Sequence, residues 1–263
     1  MIIAIDIGNT NVVIGGMRDE SVLFTARLRT DPDKTDYEYA ALLIELFALH
    51  KVDLADIEGA IISSVVPPLS AAMQSAVEKT TAKRPLLVGA GVKTGLNILT
   101  DNPARVGSDL IVGSVAALAR YPKPILLFDL GTATTLVVLD QAGDYIGYMI
   151  IPGLRSSVQA LATGTSQLPH ISLEPPEMLL GKNTVDAMRT GAIHGNAAMI
   201  DGLIDRVERQ ILGGPATVVA TGGLTRCVVP LCQHEIICDD DLILRGLALL
   251  YQKNMPRPKE KQC

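Results

Sequence analysis

The feature that most constrains this chain is a short pattern that occurs twice. Residues 1–15 read Met-Ile-Ile-Ala-Ile-Asp-Ile-Gly-Asn-Thr-Asn-Val-Val-Ile-Gly, and residues 125–139 read Ile-Leu-Leu-Phe-Asp-Leu-Gly-Thr-Ala-Thr-Thr-Leu-Val-Val-Leu. In each copy an apolar run reaches a carboxylate (Asp6, Asp129), a glycine and small polar residues follow, and a second apolar run returns. Short apolar runs bounded by turn residues predict two strands joined as a hairpin. Such a turn sets backbone N–H groups and hydroxyls beside a carboxylate, a combination suited to a phosphate chain with its Mg²⁺. A plain β-hairpin with a polar turn explains a single copy equally well. The second copy, about half a chain later, argues for duplication instead: an α/β protein of two similar domains facing each other across a nucleotide cleft. The period is too long for a solenoid.

A chain of 263 residues suffices for two moderate domains with proper cores. Hydrophobic residues make up 48% and the mean hydropathy is +0.30, whereas aromatics are 3% with no tryptophan, so the core is aliphatic. That composition lacks stacking surfaces for single-stranded nucleic acid. A net charge of −5 gives no general attraction to DNA, RNA or anionic lipid. The N-terminus has no basic segment and carries Asp6 inside its apolar run, which argues against a signal peptide. No apolar stretch approaches the roughly 18 residues of a membrane span, and a cytoplasmic protein is expected. Cys227, Cys232, Cys238 and Cys263 show no C-x-x-C spacing and no histidine pair at ligand spacing, so buried free thiols are expected rather than a metal pair. The scattered histidines suggest no chemistry, and the methionines read as core filler.

Between the hairpins, Phe24, Ala26 and Leu28 alternate with polar residues as in a half-buried strand. Thr35 and Glu38 form a capping box ahead of a helix whose apolar face carries Ala40, Leu43, Ile44 and Phe47. Ala60 to Val66 reads as a strand stopped by Pro67-Pro68, with a helix from Leu69. Gly89-Ala-Gly91 begins like a dinucleotide fingerprint, but the third glycine falls one residue late, at Gly95. Residues 101–110 read Asp-Asn-Pro-Ala-Arg-Val-Gly-Ser-Asp-Leu and lead into a helix from about Val106. Asp109 falls in or near its first turn, where the macrodipole favours an ionised carboxylate. It suits a general base, and it equally suits an ordinary helix-start acid. Residues 217–221 form a buried strand running into Gly222-Gly223, either a place of close nucleotide approach or a simple strand-to-helix turn. No Walker A pattern occurs, which excludes a P-loop kinase. The tail from Pro256 reads as solvated and frayed.

Asp-x-Gly-Asn-Thr at 6–10, Asp-x-Gly-Thr-Ala-x-Thr at 129–135 and Thr-Gly-Gly at 221–223 resemble, in that order, the motifs of the acetate and sugar kinase/Hsp70/actin superfamily. With Val-Gly-Ser-Asp at 106–109, Ile-x-Pro-Gly at 150–153 and Asn-Thr at 183–184, the chain resembles the type III pantothenate kinase family over residues 1 to about 250. The resemblance implies two duplicated ribonuclease-H-like domains, set here at 1–118 and 119–255 with a disordered tail at 256–263. It implies a homodimer and ATP-dependent phosphorylation of pantothenate to 4'-phosphopantothenate, the first step of coenzyme A biosynthesis. It further implies Mg²⁺ and a monovalent cation, K⁺ or NH₄⁺, near Asp129.

On this reading Asp109 is the base, and residues 6–13 (Asp6, Ile7, Gly8, Asn9, Thr10, Asn11, Val12, Val13) are the phosphate loop. Thr132, Gly222 and Gly223 border the nucleotide, and Asp6 serves the metal with Asp129. Gly107, Ser108, Asp109 and Leu110 with Thr184 contact pantothenate. The chain departs from the family at Leu110, where the family pattern Gly-Ala-Asp-Arg has an arginine; Arg105 is the nearest replacement cation. There are two rival readings: a kinase of this fold with another small-molecule acceptor, and a non-catalytic dimeric regulator related to Bvg accessory factor.

Overall fold

Two sheets of the same design organise the chain. A computed structural model describes residues 1–255, so the tail expected at 256–263 lies outside the described residues. In the first half, β1 (Ile2–Ile7), β2 (Asn11–Arg18) and β3 (Ser21–Arg29) form an antiparallel meander. After α1 (Asp36–Leu49), β4 (Gly59–Ser64) returns parallel to β1; α2 (Pro67–Thr81) and the short β5 (Leu86–Leu87) follow, giving the order β3-β2-β1-β4-β5. A 3-10 turn over Pro103–Arg105 precedes α3 (Ser108–Arg120). The second half repeats the plan. β6 (Ile125–Leu130), β7 (Ala133–Leu139) and β8 (Tyr145–Pro152) form the meander. α4 (Leu154–Gly164) and α5 (Thr184–Val207) then lead to β9 (Thr217–Thr221), parallel to β6. α6 (Thr225–Val228), β10 (Ile237–Cys238) and α7 (Leu242–Asn254) complete the described chain, and the second sheet has the order β10-β9-β6-β7-β8. The expected duplication is therefore present strand for strand.

The period-two alternation of β1 decides which of its residues face which layer. Ile3, Ile5 and Ile7 join Leu43 and Phe47 of α1 and Leu69 and Met73 of α2 in one core. Ile2 and Ala4 point the other way, into a core with Val112 and Val115 of α3 and Leu244 and Leu247 of α7. Asp6 continues that second face at the strand's end. In the second half Leu126, Phe128 and Leu130 of β6 pack against α4 and α5, which leaves Asp129 on the opposite face.

Compact units do not follow the expected boundary. Among the described residues one comprises 1–96, 101–119 and 241–255; the other comprises 97–100 and 120–240. The expected second domain of 119–255 thus loses α7 to the first unit. Leu244, Leu247, Ala248 and Leu250 of that helix bury against β1 and α3, and Gly246 lets it approach the Val112 backbone. Smaller differences have equally local causes. The capping box at Thr35 and Glu38 forms, but Ile44 is exposed while Leu46 takes the inner face. The first helix after β4 begins at Pro67 rather than Leu69, because proline is at home at the first helical position.

Candidate active site

In the first unit the C-terminal ends of two parallel strands and the start of one helix converge. Asp6 pairs with Ser63 across the β1–β4 ladder, and Ile7 pairs with Ser64. Ser108, the first residue of α3, places its Oγ 3.0 Å from Ser63 Oγ and 3.1 Å from the Ser64 carbonyl. Asp109 follows it. This sequence of contacts brings the carboxylates of the first hairpin and of the helix start to the same end of one sheet face. Asp109 Oδ1 accepts a hydrogen bond of 2.8 Å from the Leu110 N–H. Burial pushes its carboxyl above the usual carboxylate range, and the backbone donors offset this only in part. The carboxylate also folds over Gly107, where a β-carbon would stand 2.5 Å from Oδ1.

The hairpin turn at residues 8–10 is tied from inside and from the neighbouring strand. Gly8 N–H donates to the Asn11 carbonyl at 3.0 Å, and Thr30 donates through Oγ1 to the Gly8 carbonyl at 2.6 Å and through its N–H to the Thr10 carbonyl. Asn9 and Thr10 are left exposed at the tip. In the second unit Gly131 N–H donates to the Ala133 carbonyl at 3.1 Å, the counterpart of the Gly8 bond. Asp129 pairs with Thr221 of β9, and Gly222 follows at φ 100°, a conformation other residues adopt only under strain. A β-carbon on Gly222 would meet Asp129 Oδ1 at 2.5 Å. Ser156 of α4 donates to the Thr132 carbonyl at 2.9 Å, and Gly153 lies against the same carbonyl. Asp129, Thr132 and Gly222-Gly223 are thereby gathered at one end of the second sheet.

Several predicted site residues take other roles in detail. Ile7 and Val12 are wholly buried, so they can offer a ligand only backbone, and Gly8 N–H is engaged within the turn. Asn11 and Val13 begin β2, in register with Arg29 and Arg27. Leu110 is 8% exposed and belongs to the core, while the Ser108 hydroxyl is engaged by β4. Within the stretch 107–110, Asp109 lies against Gly107 and is held by the Leu110 N–H. Thr184 stands elsewhere in the second unit, at the exposed start of α5, beside a pocket of about 550 Å³ lined by Leu168, Lys182, Asn183 and Met188. Among the described cysteines Cys227 and Cys232 are half-buried and Cys238 is exposed, against the expectation of burial. Burial pushes the Cys232 thiol up to about 12, so it stays protonated. The sequence reading missed Thr30, Ser63 and Ser156. Lone hydroxyls at strand ends and helix starts carry no spacing signal.

The duplicated sheets, each closing on an aspartate hairpin, define the class: a duplicated α/β fold of two five-stranded sheets, shared with solved structures of low sequence identity. A Baf family transcriptional activator from Campylobacter jejuni has a similar structure, with a TM-score of 0.58 at 18% identity over 96% of this chain and 98% of that one. The activator of 2-hydroxyisocaproyl-CoA dehydratase from Clostridium difficile gives 0.56 at 14% identity over 95% and 93%. Within that class, the type III pantothenate kinase family model matches residues 2–206. A type III pantothenate kinase from Exiguobacterium sp. is 41% identical over 97% of this chain and 99% of its own length. The chain belongs to the type III pantothenate kinase family.

Proposed function

We propose that the chain transfers the γ-phosphate of ATP to the primary hydroxyl of pantothenate, giving 4'-phosphopantothenate for coenzyme A synthesis. The observation that carries this reading is the half-buried carboxylate of Asp109, held at the same strand ends as Asp6. Phosphoryl transfer asks a protein for positioning and electrostatics more than covalent chemistry. Asp109 orients the acceptor hydroxyl and takes its proton; with Oδ1 held by the Leu110 N–H, Oδ2 is the accepting oxygen. Asn9, Thr10 and Thr132 hold phosphate oxygens, and Gly222 and Gly223 let the nucleotide approach the backbone.

Among the described residues no group of three or more His, Cys, Asp or Glu side chains could hold a metal ion. That fits Mg²⁺, which is commonly bound through one or two carboxylates together with substrate phosphates. Asp6 is the residue to hold it directly or through water, and the ion would neutralise phosphate charge. Asp129 is the residue for the monovalent cation. That assignment predicts faster turnover in K⁺ or NH₄⁺ than in Na⁺ at matched ionic strength, and equal rates in all three salts would remove it. A homodimer is supported by the apolar surface of edge strand β8, where Tyr148, Met149 and Ile150 are exposed, together with Leu179 and Leu180. We place the enzyme in the cytoplasm, with the ATP it consumes; among the described residues no helix is long and apolar enough to cross a membrane.

The deciding experiment is a coupled ADP-release assay with Mg²⁺, ATP and pantothenate. Pantothenate-dependent turnover supports the reading. Turnover with a different small alcohol alone would reassign the acceptor, and no turnover with any acceptor would favour the regulatory alternative.

A further inference from the structure

Ser63 is fully buried at the end of β4, and a buried hydroxyl must place its proton on an acceptor. Its hydrogen-bond partner is Ser108 Oγ, 3.0 Å away. A serine hydroxyl has a single proton, and that of Ser108 lies toward the Ser64 carbonyl at 3.1 Å. Ser63 is therefore the donor in the pair. The protons run from Ser63 to Ser108 and from Ser108 to the backbone of β4, with every donor matched. The chain of bonds joins the last two residues of β4 to the first residue of α3. At one end Ser63 stands opposite Asp6 in the strand ladder, and at the other Ser108 precedes Asp109.

We propose that Ser63 and Ser108 are a positioning pair that holds Asp109 in register with Asp6. Neither serine touches the acceptor; they act through the helix start that carries the base. The bond needs a hydroxyl at both positions. Fixing the first turn of α3 matters because Asp109 Oδ1 is itself anchored to the N–H of the next residue. A turn that moves carries the base and its anchor together, away from the phosphate loop. A base about 1 Å out of place loses much of its value, since proton abstraction depends on a near-attack geometry.

The inference rests on the kinase reading, so its test has one arm that needs no substrate. Ser63→Ala, Ser108→Ala and the double variant are compared with wild type in the ADP-release assay, alongside Ser108→Thr, which keeps the hydroxyl. Each alanine variant should lose about five- to tenfold in kcat with the KM for ATP within about twofold. The double variant should be no slower than Ser108→Ala alone, because that change already removes both bonds made by the Ser108 hydroxyl. Ser108→Thr should recover most of the loss. Independently, hydrogen exchange at the Leu110 amide should accelerate by a similar factor in the alanine variants. Wild-type kcat in both alanine variants, losses that multiply in the double variant, or unaltered Leu110 exchange would each overturn the proposal. Should wild type prove inactive with pantothenate, the functional reading fails alone, and the exchange experiment still decides the brace. Because Ser108 is only half-buried, its variants remain informative if Ser63→Ala fails to fold.

Discussion

Gly107→Ala separates a base that is absent from one that is present but displaced. The backbone at Gly107 has no positive φ, so alanine can adopt it. Its carbonyl accepts the first helical bond from Ile111 N–H, so it occupies the capping position, where alanine is a poorer residue than glycine by less than about 1 kcal/mol. The new β-carbon would lie 2.5 Å from Asp109 Oδ1, and ordinary contact begins at 3.4 Å. The carboxylate is the free end of a side chain, so it will yield by about 1 Å. That movement takes Oδ1 off the Leu110 N–H, now 2.8 Å away, and carries the whole carboxylate off the acceptor hydroxyl. A misplacement of this size costs about 10²-fold in rate. The expected result is a folded protein with a melting temperature close to wild type, kcat down about 10²-fold, and the KM for ATP nearly unchanged. Steady-state ADP release and a thermal melt suffice to read it. A kcat within about threefold of wild type would refute the assignment of Asp109 as base, or its anchoring by Leu110.

Asp109→Asn should abolish turnover and stabilise the protein at neutral pH. Burial raises the folded-state pKa of Asp109 above that of the unfolded chain, so stability falls as pH rises from the ordinary carboxylate value through the folded one. Asparagine cannot ionise and escapes that loss; the melting-temperature gain should vanish in acid, and a variant less stable than wild type at pH 7 would contradict the account. Arg105→Ala should raise the KM for pantothenate by one to two decades and leave the KM for ATP alone, if this exposed residue meets the substrate carboxylate in place of the family's arginine; an unaltered pantothenate KM would assign that carboxylate to other groups. Tyr121→Phe should cost about 1.5–3 kcal/mol of stability, because Tyr121 donates to the buried carboxylate of Asp239 at 2.8 Å. A urea midpoint that does not move would show that the carboxylate keeps enough donors without it.

Much of the fold was legible because periodicity and repetition are local properties of a sequence. The two hairpins, the capped α1 and the register of Asp6 and Asp129 at strand ends all arise from patterns within about 15 residues. The destination of α7 was not legible, since its apolar face would suit either half. Packing against Val112 across the close approach at Gly246 assigns it to the first unit. Leu110 misled for a related reason. Motif position marked it as a ligand contact, but helical phase turns it into the core. The phosphate-loop range likewise included Ile7 and Val12, whose side chains the strand alternation sends inward.

The duplication also shows where the two halves have diverged. Asp6 stands opposite Ser63 on its parallel neighbour, and Asp129 stands opposite Thr221 on the corresponding strand. Both hydroxyl residues are buried, at 0% and 3% exposure. The inherited unit is thus larger than the hairpin: a carboxylate at a strand end with a buried hydroxyl beside it. Beyond that hydroxyl the two strands part ways. In the first half Ser64 leads to Pro67, and Ser63 and Ser64 engage the helix that carries Asp109. In the second half Thr221 leads to Gly222 and Gly223, and the Gly222 backbone lies against Asp129 with no side chain between. On the proposed reaction one strand end serves as a brace for the base, and the other as open backbone for the nucleotide. These are the two different tasks of the acceptor side and the donor side. Exchanging the dipeptides after the two hydroxyls should therefore impair the halves differently: glycines after Ser63 should lower kcat, and residues with side chains at 222 and 223 should raise the KM for ATP.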